Sequence, residues 1–315
     1  MFHKILLGTA IAVTCHFAAH AQDAENQAPP TLVTQTFKDT RLVNIASVEL
    51  IEKGKLDVRL MERFGVIGTL EESLESFFGL ESMSDIMVAL QYGATENLTV
   101  GLSRSKGNGF MPDQQAGLRQ LLNGTLKYRV LQQAQGSGSP VTLTVQGMAS
   151  FSTMKRDKND PEALNSFPKF MHRLAYHSEV LVSRKFSDRL SVQVSPAFTH
   201  RNLVHTDDTK NIFSVGVGAR VQLLKGLGLV GDAVFPIGES RNSDHGFYPI
   251  YGLGLEVTSG CNTFHVGLSS AVGLTETDYI PYNTGQWSDG DFRLGFTVSR
   301  AFDLKKKQKM EMEEK

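Results

Sequence analysis

Residues 292–302 read FRLGFTVSRAF, and the facing of this stretch decides the fold. Phe292, Leu294, Phe296, Val298 and Phe302 fall on one parity; Arg293, Gly295, Thr297, Ser299 and Ala301 fall on the other. Arg300 is the single polar residue on the apolar parity. Period two with one greasy face is a β-strand, and the greasy face meets either a protein core or lipid.

The beginning of the chain bears on that choice. MFHKILLGTAIAVTCHFAAHAQ carries a basic Lys4, an apolar run from Ile5 to Phe17, and Ala19-His20-Ala21 ahead of Gln22. This is the pattern of a secretory signal peptide, 1–21, cleaved after Ala21. Ala12-Val13-Thr14 before Cys15 fits a lipoprotein site poorly. The mature chain then keeps Cys261 alone, so no internal disulfide is available to hold it. No later stretch reaches the length of a membrane helix. With 32 Lys and Arg against 33 Asp and Glu, the formal charge of -1 gives no basic field for nucleic acid. A mean hydropathy of -0.17 suits a soluble protein, and equally a membrane barrel, because half of each barrel strand faces the lumen.

The alternation of residues 292–302 recurs along the chain. LDVRLMERF, SDIMVALQY, LTVGLS, LNGTLKYRV, VTLTVQGMASF, LAYHSEVLVSRKF, LSVQVSPAF, FSVGVGARVQLL, LGLVGDAVF, YGLGLEV and TFHVGLSSAV precede it. With the final stretch they make twelve strand candidates of roughly 9–13 residues, suited to tilted membrane-spanning strands. Short turns (95–97, 135–138, 187–189, 225–226, 259–262) alternate with long loops (66–83, 106–120, 154–170, 203–210, 239–247, 276–290). A soluble sandwich has no reason to sort its loops this way; an up-and-down bacterial barrel does, with short periplasmic and long outside connections. The expected fold is therefore all-β, a single antiparallel up-and-down transmembrane β-barrel of twelve strands, and the apolar face of 292–302 meets lipid. Aromatic residues near strand ends, Tyr92, Phe186 and Phe302 among them, suit interface girdles.

The expected organisation is a signal peptide (1–21), a flexible periplasmic lead (22–39), the barrel (40–304) and a charged periplasmic tail (305–315). TRLVNIASVELI (40–51) also reads as extended, but a thirteenth strand would break the even count of bacterial barrels. Residues 40–54 are thus expected inside the lumen or under it, with strands over 55–302.

The segments DTRLVN, SVELIEKGKLDVRLMERFG, LQYGATENLTVGLSRS, LKYRVL, LVSRKFSDRLSVQVSPAFTHRNLV, LGLEVTSGCNTFHVGL and GQWSDGDFRLGFTVSRAF resemble a domain-of-unknown-function family of outer-membrane β-barrel proteins of Gram-negative bacteria. The resemblance runs over nearly the whole mature chain. It implies the barrel fold and the outer membrane, and brings no activity, substrate or catalytic residue.

Parity places Arg59, Arg63, Lys127, Arg129, Glu179, Arg201, Arg220, Asp232, Glu256 and Arg293 on the lumen side, with Asp57, Asp85, Lys185, Asp291, His177 and His265. The mix is nearly balanced. It suits a web of ion pairs stiffening a narrow barrel, or a path for a small polar or anionic solute, since rings of Arg and Lys favour anions. The expected partners are outer-membrane lipids, the barrel-insertion machinery that reads a terminal strand ending in Phe, and such a solute; no cofactor and no nucleic acid. The alternative is a surface enzyme or metal site. No G-x-S-x-G or H-E-x-x-H motif occurs, so no catalytic residue is assigned. Pairing strands across Ser187-Asp188-Arg189 gathers His172, His200 and His205 at the outer rim near Asp207 and Asp208, where imidazole and carboxylate are able to ligate a metal. Trp287 falls in an outside loop, as an anchor or a ligand stack. For insertion into the membrane, Thr144→Arg on the lumen face is expected to be better tolerated than Leu294→Arg or Val192→Arg on the lipid face.

Overall fold

The computed structural model describes residues 31–68, 70–81, 83–107, 120–136, 138–161, 163–205 and 208–304. The expected signal peptide, lead residues 22–30, Asp207 and the charged tail lie outside these residues.

Twelve strands close into one barrel in which each pairs antiparallel with its sequence neighbours. They are β1 (Lys55–Val66), β2 (Met83–Gly93), β3 (Leu98–Gly107), β4 (Gln120–Leu131), β5 (Thr142–Ser152), β6 (Leu174–Lys185), β7 (Leu190–Arg201), β8 (Asn211–Leu224), β9 (Leu227–Ile237), β10 (Ile250–Ser259), β11 (Asn262–Ser269) and β12 (Arg293–Asp303). β12 closes on β1 with Val298 opposite Leu60 and Phe302 opposite Leu56. Closure leaves no sheet edge, so every ladder group has a partner even against hydrocarbon. A two-residue strand, Thr31–Leu32, pairs with Ala134–Gln135 at the end where the short turns lie.

Side chains alternate across the wall. On β8, Phe213, Val217 and Val221 are exposed, while Ile212, Ser214 and Arg220 are buried. Leu126 of β4, Leu253 and Leu255 of β10 and Val266 of β11 are exposed as well. A continuous band of such residues meets lipid, the one solvent in which it is stable. At the long-loop end, Phe235, Tyr251, Trp287 and Phe292 form a chain of ring contacts with centroids 5.3–6.2 Å apart. Trp287 is thereby packed on Tyr251 and Phe292.

Two segments fill the interior. The first is the N-terminal run from Thr36 to Ile51. It is not a strand: it folds back on itself through an Arg41–Ala46 bridge, and Phe37, Leu42, Ile45, Ala46 and Val48 are buried. The buried run begins at Thr36, four residues inside the stretch expected as a flexible lead up to 39. The second is the connection between β11 and β12. Residues 276–290 were expected as an outside loop, but helix α2 (Glu276–Tyr282) is buried along its whole length. (A first helix, α1, Leu70–Glu75, lies in the β1–β2 connection.) The reason is chemical: a polar lumen receives Glu276, Thr277 and Asp278 while Tyr279 and Ile280 join Ala271 on the apolar residues of the N-terminal run. Those in turn meet Leu181, Ile212, Val230, Val234 and Ile250 of the wall.

Candidate functional site

The lumen gathers the candidate residues, and the N-terminal plug is what most of them hold. Lys127 of β4 is buried and its Nζ donates to three plug carbonyls, Thr40 at 3.2 Å, Ser47 at 2.9 Å and Glu49 at 3.3 Å. An ammonium has three protons, so its donor capacity is filled. Arg59 of β1 forks onto both oxygens of Asp39 and donates to Thr40 Oγ1 at 3.0 Å; His265 Nε2 meets Asp39 Oδ2 at 2.8 Å. Bidentate pairing of this kind fixes direction as well as distance.

Asn44 is the centre of the network. Its backbone N–H and its Nδ2 donate to Asp232 of β9 at 2.6 and 2.7 Å, and the N–H of Ile45 adds a third donor at 3.2 Å. Its Oδ1 accepts from Arg63 Nη2 at 2.9 Å and from Ser269 Oγ at 2.7 Å. Its carbonyl accepts from Arg41 and from the Tyr279 hydroxyl at 3.3 Å. Gly252 of β10 makes this approach possible, since a Cβ there would stand 2.4 Å from Asn44 Nδ2. Arg63 also reaches the carbonyls of Ala271 and Gly273, joined at Ala271 by Arg293. Arg41 pairs with Glu276 at 2.9 Å, so the plug and the inward loop are locked to each other as well as to the wall.

The other candidates stand apart from the plug. Glu179 accepts from Gln146 Nε2 at 2.7 Å and lies 3.9 Å from His177. Arg220 pairs with Glu256 at 2.8 Å, both buried. Arg129 is half-buried and reaches Gln132 at 3.4 Å. Arg201 sits under the long loops with Tyr282 of α2: its charge pairs with Asp208 at 2.9 Å, and its guanidinium carbon is 5.1 Å from the Tyr282 ring centroid. Arg241 meets the same carboxylate at 2.7 Å and Ser240 Oγ adds a bond at 3.0 Å. Burial raises the Asp208 pKa, but the Arg201 charge and the hydrogen bonds from Arg241 and Arg201 outweigh it and hold the carboxyl at about 2. Two cavities beside the plug are small: the one among Ile45, His177, Glu179, Glu276 and Tyr279 is about 10 Å³, less than one water-sized site, and the one lined by Val43, Arg63, His265 and Leu274 is about 20 Å³.

The rim histidines follow the expected register, since Phe186 N–H donates to Leu190 O and Ala175 stands opposite Arg201. They are engaged locally. His200 bonds Asn211 and Asn202 and stacks on Tyr176 at 6.4 Å, on the outward parity. His172 Nδ1 accepts from the Lys169 N–H at 3.4 Å. His205 is half-buried. Among the described residues no group of three or more His, Cys, Asp or Glu is placed to hold a metal.

Sequence reasoning passed over Asp39, Arg41, Asn44 and Glu276. The signal for Arg41 and Asn44 was the odd strand count itself: a segment that reads as extended yet has no place in an even barrel must be taken up elsewhere, whereas Asp39 fell in the stretch expected as the flexible lead.

The sequence model of one family, Membrane bound beta barrel domain (DUF5777), matches residues 37–302. Among curated proteins none matches. Three solved structures are similar in fold alone. An outer-membrane channel from Pseudomonas putida F1 has a TM-score of 0.48 at 11% identity, covering 81% of this chain and 97% of that one. The NanC porin gives 0.46 at 10%, over 79% and 100%. The KdgM porin gives 0.45 at 8%, over 79% and 99%.

Proposed function

Because this chain belongs to the Membrane bound beta barrel domain family (DUF5777), we propose that it is a plugged outer-membrane barrel, closed to solutes as folded, with a structural rather than catalytic role. On this reading the signal peptide is removed after Ala21, the short turns and both chain ends are periplasmic, and the long loops face outside. One observation carries the closed state: Lys127 has filled its three donors with plug carbonyls. The same holds in kind for Arg59 on Asp39 and Asp232 on Asn44, so these charges are committed to holding the plug and are not free to coordinate a passing ion.

Planar-bilayer recording of the purified full-length protein tests the proposal. Wild type is expected to be silent. Lys127→Met takes the donor from the buried Ser47 and Glu49 carbonyls, while Thr40 O keeps the Ser47 N–H at 2.9 Å; the cost to the seated plug is roughly 2–4 kcal/mol, and the variant is expected to show intermittent openings. Steady, discrete conductance from wild type would overturn the closed reading in favour of a narrow channel for small polar or anionic solutes.

A further inference from the structure

We infer that the outer surface at the long-loop rim of β3–β6 docks a phosphorylated glycolipid of the outer leaflet; this rests on the outer-membrane reading above. The floor is an outward-facing strip. Arg104 of β3, Leu122 of β4 and Phe151 of β5 stand directly opposite one another across two ladders. The strip continues into the β5–β6 loop, where the Phe170 ring lies 5.6 Å from that of Phe151. Phe170 and Met171 are 67% and 51% exposed, at the upper border of a wall whose outer face is already lipid-facing. Two large apolar side chains held out in this way are costly in water and favourable against acyl chains.

Cations surround that floor. Arg104 is exposed and steadied by a bond from Nη1 to Thr153 Oγ1. Lys106, Lys155 and Lys169 are exposed. Arg173 is fixed 4.1 Å from the Phe167 ring centroid and donates to the carbonyls of Ser152 and Met154. The acids nearby are fewer. Asp157 is turned into its own loop, accepting from the N–H groups of Asn159 and Asp160. Glu62 faces outward on β1, separated from Lys106 by Ile86 of β2. The local field is felt by His172: burial, then the charges of Lys169 and Lys210, push its pKa below the ordinary value.

The opposite rim has the reverse character. Residues 238–249 and 270–292 carry Arg241 as their sole Lys or Arg; outside the buried helix α2 their acids are Glu239, Asp244, Asp289 and Asp291. Arg241 is already spent on Asp208. Of these two sides of the rim, the β3–β6 side combines an apolar step with unspent cations at headgroup height, the pairing that an acylated sugar phosphate requires.

The test is native mass spectrometry of the folded, detergent-solubilised full chain, titrated with bis-phosphorylated lipid A, with the same lipid after phosphate removal, and with phosphatidylglycerol. Wild type is expected to retain the phosphorylated glycolipid in preference to the other two. Arg104→Gln with Lys106→Gln is expected to weaken that binding roughly tenfold or more, while Arg300→Gln at the other end leaves it unchanged. A heat-modifiable gel shift confirms that each variant is folded. Equal binding by wild type and the double variant overturns the inference, as does phosphatidylglycerol binding as tightly. Density-gradient fractionation addresses the location separately: a protein found in the inner membrane overturns the outer-membrane reading without altering the titration.

Discussion

Asn44 carries one side-chain amide, and the fold uses both ends of it. Its NH₂ faces the Asp232 carboxylate and its oxygen faces Arg63 and Ser269, so a neutral residue separates a buried anion from a buried cation. Truncation to Ala would strip a donor from one charge and an acceptor from the other, leaving each partly unpaired at a buried position. The Arg201–Asp208–Arg241 group at the rim makes a different residue-scale prediction. With a folded pKa of about 2 against an ordinary value of 3.8, Asp208 binds its proton less readily in the folded state. Its contribution is therefore fully present above about pH 4 and is lost as pH falls through about 2. After solvent screening it is worth about 1 kcal/mol. Asp208→Asn should lower the thermal midpoint of the heat-modifiable band at pH 7, and the gap to wild type should close as pH falls from 4 to 2. A gap that persists at pH 2 would mean that the carboxylate's charge is not what holds these loops.

Facing along a strand is the element-scale property that sequence displays most openly. Leu294 of β12 pairs with Leu268 and looks outward, so Leu294→Arg should impair insertion by roughly 2–4 kcal/mol near the midplane. Thr144 of β5 looks inward, so Arg there is still expected to be tolerated for insertion, but the plug meets this side chain. Its side chain is fully buried, and its Oγ1 donates to Val48 O at 3.0 Å, so the site is occupied by the plug. Thr144→Arg should still insert, with normal recovery in the membrane fraction, but should open the barrel in bilayer recordings, whereas Leu294→Arg should lower recovery itself. Equal recovery of the two variants would refute this facing. Arg59, Lys127 and Asp232 were legible as inward residues because period two survives any error in strand ends. What they face was not legible. A strand's partner is its neighbour in the chain, but residues 36–51 and 276–282 meet the wall through contacts far apart in sequence, and neither carries a period. Leu274-Thr275-Glu276-Thr277-Asp278 reads as a solvated loop; only a polar lumen converts it into a buried helix.

At the scale of the whole molecule, barrel and plug are held by different forces. The barrel rests on an unbroken ring of backbone ladders and an apolar outer band, neither of which involves residues 36–51. The plug has no ladder of its own. It rests on side chains from β1, β4, β5, β9 and β11, on Gln193 of β7 donating to Ala46 O at 2.7 Å, and on the Arg41–Glu276 pair to the inward loop. Such an arrangement should lose the plug before it loses the barrel, because local stabilities in one fold differ when their supporting contacts differ. Limited trypsinolysis reads this directly. Arg41 is 7% exposed and should resist cleavage in wild type. In Asn44→Ala with Lys127→Met, the plug loses its central amide and its three-carbonyl anchor together, and cutting after Arg41 should accelerate strongly. The remaining chain should keep its heat-modifiable mobility, as expected of a closed twelve-stranded ring without its stopper. If cleavage at Arg41 appears only as that mobility is lost, plug and barrel unfold as one unit, and withdrawal of the plug from an intact wall is not a motion this protein makes.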